Sequence, residues 1–242
     1  MSFYFSPKIV TDGLIHYFDA ANVNSYISGS TTWGDMSKIN VNGTIVNGPT
    51  YTPEYNGGLI FDGVNDYVLI GSNQNYYFNL TKPYTISVWF KSNSLSTMGL
   101  VTRYNAGVRG NYFLKFLLNG AIMYNREVSP FNLFSNGILS TGVVNNATIS
   151  YDGVNQKIHL NGVFDRQQAS GNIVQNQSSI NLLIGASQLS GNPYEFFNGT
   201  IYNVKIYNKG LSDGEILQNY NALKTRFGLW VEMWHQILLQ MV

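Results

Sequence analysis

The sequence contains no cysteine, which excludes disulfide bridges, thiolate metal sites and a cysteine nucleophile. Charged residues make up only 11% of the 242 residues, and the formal net charge is +1. A chain with almost no net charge lacks the basic surface that attracts nucleic acid or an anionic membrane. We therefore expect neither nucleic acid nor a membrane as a partner. The three histidines, His16, His159 and His235, have no metal-binding spacing, and we expect His16 and His159 to fill ordinary strand positions.

Catalytic constellations are also missing from the sequence. Retaining glycanases need two carboxyl groups about 5 Å apart, which alternate residues of one strand supply. No Asp/Glu pair spaced by two lies in a predicted strand, and Glu54, Glu127, Glu195 and Glu215 are scattered. No G-x-S-x-G elbow and no glycine-rich phosphate loop occurs. We therefore predict that the protein is not an enzyme.

The two ends of the chain carry different signals. Residues 1–8 lack a basic segment followed by an apolar core, so they do not read as a secretory signal, and we expect synthesis in a cytoplasm. Residues 230–242 form an apolar tail that is too short to span a bilayer. The tail packs on its own domain, docks in a neighbouring subunit, or is foreign to the native protein. Its apolar residues at helical spacing, our assembly candidates, are Trp230, Met233, Trp234, Ile237 and Leu238.

Many short strands dominate what the sequence does contain. Hydrophobic residues reach 44%, with 24 glycines and 30 asparagines, a composition typical of buried strands joined by tight turns. Ile86, Val88 and Phe90 alternate with polar residues and predict one core-facing side of a strand. Further strands are predicted at 59–61, 67–70, 112–118, 147–151, 157–160, 181–184 and 200–207.

Turn and helix signals complete the architecture. Each of the dipeptides at 62–63, 119–120, 152–153 and 161–162 is Asp-Gly or Asn-Gly between two strand-like runs, which predicts hairpins. Ser212 and Glu215 form a capping box that begins one short C-terminal helix, and we expect this helix to pack on the sandwich edge. The sequence therefore predicts an all-β, antiparallel two-sheet jelly-roll sandwich, with one domain over residues 1–229 and the tail at 230–242.

Several segments together carry the signature of a known family. They lie at residues 13–22, 32–35, 61–68, 151–153, 160–162, 197–201 and 211–217. They resemble laminin-G-like, concanavalin A-like lectin jelly-roll domains. Residues 6–14 and 220–228 resemble the version found in bacteriophage virion structural proteins, and the resemblance covers roughly residues 7–229. It implies the fold but no single function, because this fold hosts lectins, glycanases, adhesion modules and capsid parts.

The resemblance also implies candidate ligand sites. Many such domains hold calcium on a rim loop, and the best oxygen-rich cluster for it is Asp62, Asn65 and Asp66. The interpretation that we favour is that these residues simply form the hairpin turn. No other cofactor is indicated.

For carbohydrate, we look for aromatic rings beside amides on adaptable loops. An aromatic content of 14% places some tyrosines on any surface, so a purely structural role for these residues stays open. The candidate carbohydrate or partner contacts are Arg103, Tyr104, Asn105, Arg109, Asn192, Tyr194 and Glu195.

These observations predict a non-catalytic phage virion surface protein, either a capsid decoration protein or a fibre component. It would be made in the host cytoplasm, contact other virion proteins or itself as a homo-oligomer, and bind a cell-surface glycan for host attachment. The alternative is a free lectin-like carbohydrate-binding or adhesion module of a bacterium.

Overall fold

The computed structural model describes residues 7–72, 78, 82–106, 108–126, 130–171 and 180–229, with the backbone alone for 106 and 108–111. The tail at 230–242 lies outside the described residues. The strands are β1 Leu14–Asp19, β2 Thr32–Trp33, β3 Gly43–Val46, β4 Thr50–Thr52, β5 Gly58–Asp62, β6 Tyr67–Gly71, β7 Tyr84–Ser92, β8 Met98–Ala106, β9 Val108–Phe116, β10 Ile122–Asn125, β11 Asn132–Phe134, β12 Val144–Tyr151, β13 Asn155–Leu160, β14 Val163–Ala169, β15 Leu182–Ile184, β16 Ser187–Leu189, β17 Asn192–Tyr194 and β18 Asn198–Tyr207. The helix α1 spans Asp213–Leu223, and 3₁₀ segments span Glu54–Asn56 and Lys224–Phe227.

The strands form two sheets. Sheet A has the order β14-β13-β12-β7-β18-β5-β4, with β1 also beside β18. Sheet B has the order β11-β10-β9-β8-β15-β6-β3-β2, and the β16–β17 hairpin joins it at β8. The ladders are antiparallel except that β16 runs parallel to β8. This architecture confirms the predicted jelly-roll sandwich with one short C-terminal helix.

The core lies between the two sheets, and strand alternation explains its composition. Ile86, Val88 and Phe90 on β7 are fully buried, as the sequence predicts. Phe90 meets Phe116 of sheet B edge to face, with ring centroids 5.8 Å apart. Without disulfides, this packed aromatic and aliphatic layer is the main source of stability.

The central part of the outer face of sheet A is also buried, which the sequence does not predict. Trp89, at the centre of this face, stacks on Tyr220 of α1 with centroids 5.1 Å apart, and on Phe227 at 4.5 Å. The helix therefore lies over the face of the sheet and not on the sandwich edge, so that expectation was wrong. The physical reason is that the large apolar surface of Trp89 needs a cover, and the helix supplies it.

The start of α1 confirms the predicted capping box. The Ser212 side chain accepts the backbone N–H of Glu215, and the Glu215 carboxylate accepts the backbone N–H of Ser212 at 2.9 Å. The Asn161–Gly162 turn joins β13 to β14 with both residues at positive φ, the conformation that a two-residue hairpin requires. In the described part of the chain, no helix is long and apolar enough to cross a membrane.

The histidines of the strands have structural partners. His16 on β1 is fully buried, and its Nδ1 lies 2.8 Å from Asp35 Oδ2. Burial raises the pKa of Asp35, but hydrogen bonds from His16 and from the N–H groups of Tyr17 and Ser37 outweigh this, so the pKa lies below its usual value. Asp35 thereby ties the loop after β2 to β1.

Candidate functional site

The hairpin formed by β16 and β17 places the predicted carbohydrate contacts on the outer face of sheet B. It docks because β16 pairs in parallel with β8, opposite Asn105, and because Thr102 Oγ1 donates to the carbonyl of Ala186 at 2.7 Å. At the tip, Asn105 Oδ1 accepts the N–H of Gly191, and the Gln188 amide donates to the Gly191 carbonyl. The hairpin and β8 thus form one surface.

Five side chains on this surface form what we call the Lys115 cluster: Tyr104, Phe113, Lys115, Tyr194 and Glu195. Lys115 Nζ lies 4.4 Å from the ring centroid of Phe113, 5.5 Å from that of Tyr194 and 5.7 Å from that of Tyr104. The Tyr104 and Phe113 rings meet edge to face at 5.0 Å. Three aromatic rings therefore surround one ammonium group, and each ring attracts the ammonium group through its π face.

The charge of the Lys115 cluster is balanced internally. Glu195 Oε2 lies 2.6 Å from Lys115 Nζ, and the two side chains are 24% and 5% exposed. Burial, followed by the negative charge of Glu195 and the neighbouring Tyr104 hydroxyl, raises the pKa of Tyr194 to about 12. Tyr194 is therefore a neutral hydroxyl at physiological pH that donates or accepts hydrogen bonds.

The structure brings together only part of the predicted set. Tyr104, Asn105, Tyr194 and Glu195 are partly exposed on the hairpin surface, and Asn192 is exposed at its tip. Arg103 is fully buried, because strand alternation points it away from the face that carries Tyr104. That placement removes Arg103 from the predicted rim. The side chain of Arg109 lies outside the described residues.

Sequence reasoning missed Lys115 and Phe113. Both lie on β9, where they alternate with the core residues Leu114 and Phe116 and so share the outer face. The register β8 to β9, which pairs Thr102 with Phe113, brings them beside the hairpin. Alternation within 112–118 is the signal that could have identified this face. The partner of Lys115, Glu195 after β17, depends on a long-range pairing that no local pattern encodes.

The turn that carries the calcium candidates has the geometry of an Asx turn. Asp62 Oδ1 accepts the N–H groups of Val64 and Asn65, and Asp66 Oδ2 accepts the N–H of Asp62. Within the described part of the chain, no group of three or more His, Cys, Asp or Glu side chains is placed to hold a metal ion. The contacts fit the turn interpretation, in which carboxylate oxygens bind the backbone.

The glutamates of the described residues are engaged in ion pairs, while Glu127 and Glu232 lie outside those residues. A general acid or nucleophile of a glycanase needs a second carboxyl group nearby in an open cleft, whereas each of these carboxylates faces a lysine. The pairs are Glu54 with Lys91, Glu195 with Lys115 and Glu215 with Lys209.

Comparison with known families agrees with this geometry. The family model of the concanavalin A-like lectin/glucanases superfamily matches residues 62–217. The chain belongs to this superfamily. No curated protein matches the sequence. The family resemblance in the sequence is thus confirmed at the level of the superfamily.

Similar solved structures show the same fold at low sequence identity. The binding domain of Paraclostridial Mosquitocidal Protein 1 is 13% identical with a TM-score of 0.66, over 87% of this chain and 52% of that one. Trypanosoma rangeli sialidase bound to the inhibitor DANA is 15% identical with a TM-score of 0.66, over 89% and 35%. The chain spans about half or less of these two proteins.

A third similar structure is a single domain of matching size. Domain 4 of AbnA, an extracellular GH43 arabinanase of Geobacillus stearothermophilus, was solved in complex with arabinotriose. It is 16% identical with a TM-score of 0.63, over 87% of this chain and 100% of that domain. All these identities are too low to carry more than the fold.

Proposed function

We propose that this protein is a non-catalytic carbohydrate-binding module that uses the hairpin surface around the Lys115 cluster. The observation that carries the proposal is that two partly exposed tyrosines, Tyr104 and Tyr194, lie beside the Lys115–Glu195 ion pair. Sugar rings pack their C–H faces on aromatic side chains, and their hydroxyls bind amides and charged groups. The amides of Asn105 and Asn192 border the same surface.

The similar structures support this ligand class. The arabinanase domain that matches this fold along its full length was solved with an oligosaccharide, and the mosquitocidal protein domain is a binding domain. The ion-paired state of the described glutamates supports a binding role over hydrolysis. We infer that a glycan contacts Tyr194 and Tyr104 on their solvent-facing sides, while the buried Lys115 ammonium group holds the two rings in place.

The direct test compares variants by isothermal titration with a glycan identified on an array. Tyr194→Ala and Tyr104→Ala should each weaken binding about tenfold, because each removes one stacking surface. Phe164→Ala is the matched control, since Phe164 is an exposed aromatic on β14 of sheet A, in the other sheet of the sandwich. Equal affinities of all three variants and the wild type would refute the hairpin surface as the site.

We further propose that the module belongs to a phage virion surface, as a capsid decoration or fibre component made in the host cytoplasm. Support comes from residues 6–14 and 220–228, which resemble the ends of phage structural domains. Homo-oligomerisation and contact with other virion proteins follow from this role, with the tail at 230–242 as the docking segment. Quantitative mass spectrometry of intact particles tests it. Stoichiometric copies are expected, while absence from particles would favour a free bacterial adhesion module.

A further inference from the structure

An open groove lies near the edge of sheet B that β3 and β2 form, where the chain crosses from β3 in sheet B to β4 in sheet A. Its volume is about 550 Å³, within the range of small-molecule binding sites. Tyr26 and Tyr51 form one wall, with their rings stacked at a centroid distance of 5.8 Å and an angle of 24°. The loop at 28–31 and the crossover at 47–50 form the rest.

The lining of this groove carries no charged side chain. Besides the two tyrosines it presents hydroxyl and amide groups, and the polar side chains exposed there are Ser28, Thr31, Asn47 and Thr50. Anionic ligands such as phosphates or acidic sugars would find no cation to pair with. The lining matches uncharged ligands that carry many hydroxyl groups and also present a C–H face to a tyrosine ring.

The groove is held in shape by its own hydrogen bonds. Asn47 and Gly48 adopt positive φ at the crossover, and the Asn47 amide donates to the carbonyl of Asn65 at 2.8 Å. On the facing loop, Ser30 Oγ donates to the carbonyl of Thr32 at 2.9 Å, and Ile45 N donates to the carbonyl of Thr31 at 2.8 Å. A ligand therefore orders little backbone on binding, which lowers the entropic cost.

We propose that this groove is a second ligand site, specific for an uncharged saccharide that packs on Tyr51. The ligand class rests on the proposed function, but the surface is separate from the Lys115 cluster. In sheet B, β3 lies three strands from β8, or about 14 Å at the usual strand spacing. Two such sites on one module bind a polysaccharide chain with higher avidity than either site alone.

Because the groove lining has no charged side chain, the effect of salt on affinity distinguishes binding in the groove from binding at the hairpin surface. Binding in the groove should keep its affinity between low and high salt, because no ion pair is screened. An acidic glycan should not compete for the groove. These properties separate the groove from the hairpin surface, where Lys115 and Glu195 lie beside the tyrosines.

The test is an NMR titration of the full chain with uncharged trisaccharides: arabinotriose, maltotriose and cellotriose. Tyr51→Ala should weaken the groove-associated binding about tenfold, while Tyr51→Phe keeps the ring and the affinity. Because Tyr51 packs on the core, Thr50→Trp provides a second variant that fills the groove from an exposed position. Thermal unfolding of each variant establishes that the fold is intact.

The outcomes separate the two proposals. Binding that is lost in Thr50→Trp and retained in Tyr194→Ala supports the groove. Binding that is lost in Tyr194→Ala and retained in Thr50→Trp overturns the groove and leaves the proposed function standing. Loss in both variants would contradict a separate site. If none of the three trisaccharides binds the wild type, the groove proposal is overturned, whereas the proposed function fails only if the glycan array is also blank.

Discussion

Arg226 and Asp19 are 207 positions apart in the sequence and form an ion pair, with 2.7 Å between Arg226 Nη1 and Asp19 Oδ1. The two side chains are only 10% and 8% exposed. Arg226 also donates from Nε to the carbonyl of Tyr55 and from Nη2 to the carbonyl of Gly57. One guanidinium group thereby fastens the segment after α1 to β1 and to the turn before β5.

Replacement of Arg226 by alanine should therefore destabilise the protein by about 3 kcal/mol or more, because it leaves the buried Asp19 carboxylate without its cationic partner and two carbonyls without the Arg226 donors. Arg226→Lys should recover part of the loss, since lysine restores the charge without the planar fork. Urea unfolding measures both values. A loss below about 1 kcal/mol for Arg226→Ala would show that the pair contributes no more than a surface ion pair.

Lys205 on β18 carries a buried amino group on the outer face of sheet A. Its Nζ contacts Asn203 Oδ1 and lies 4.9 Å from the ring centroid of Tyr17, with Asp19 and Arg226 as the nearby charges. Burial lowers the pKa of Lys205 to about 7, although Asp19 raises it. The folded protein at pH above 7 therefore holds a neutral amine where the unfolded chain carries an ammonium.

This difference predicts a pH-dependent stability. Between pH 7 and about 9.5 the unfolded state binds a proton that the folded state lacks, so the free energy of unfolding rises with pH, by up to about 1.4 kcal/mol per unit. Below pH 7 both states are protonated and Lys205 adds no slope. Urea unfolding at several pH values measures the effect, and Lys205→Met should flatten the curve. An identical slope in that variant would assign the pH dependence to other groups.

The capping box of α1 gives a smaller, local prediction. Ser212→Ala removes the side chain that accepts the Glu215 N–H, and it should cost about 1 kcal/mol of stability. Ser212→Thr keeps the acceptor and serves as the control. Thermal unfolding measures both, and equal melting temperatures for alanine and wild type would mean that the cap adds nothing to the tertiary contacts that hold the helix.

The tail at 230–242 can be tested by deletion. The strands and α1 are held by contacts among the described residues, so a chain that ends at residue 229 should retain the wild-type circular dichroism spectrum and cooperative unfolding. If the tail docks in a neighbouring subunit, light scattering should detect smaller assemblies. Global unfolding of the shortened chain would instead place the tail in the core of its own domain.

Local sequence patterns predicted the features that depend on neighbouring residues, such as the buried face of a strand and the start of a helix. The alternation of Ile86, Val88 and Phe90 identified the inward face of β7, and Ser212 with Glu215 marked the helix start. Trp89 shows where such reasoning stops. It lies on the face predicted to be outward, but that face is covered by a helix more than a hundred residues later in the chain, and no local signal links the two.

Prediction of the candidate site has the same limit, because its residues come together only through long-range strand pairing. Tyr104 and Tyr194 were predicted separately as surface aromatics, and the parallel pairing of β16 with β8 brings them together. Lys115 was missed because a lysine on a strand normally marks a solvated position, whereas here three rings and a carboxylate bury it. Arg103 illustrates the converse, since a charged residue one position from Tyr104 points into the sandwich.

The most direct test of carbohydrate binding is a glycan array probed with the full chain, followed by titration of the best hit. The account predicts saturable binding to at least one glycan, with an affinity that falls about tenfold in Tyr194→Ala and stays constant in Phe164→Ala. An array without a single reproducible hit, from protein shown to be folded, would contradict the account.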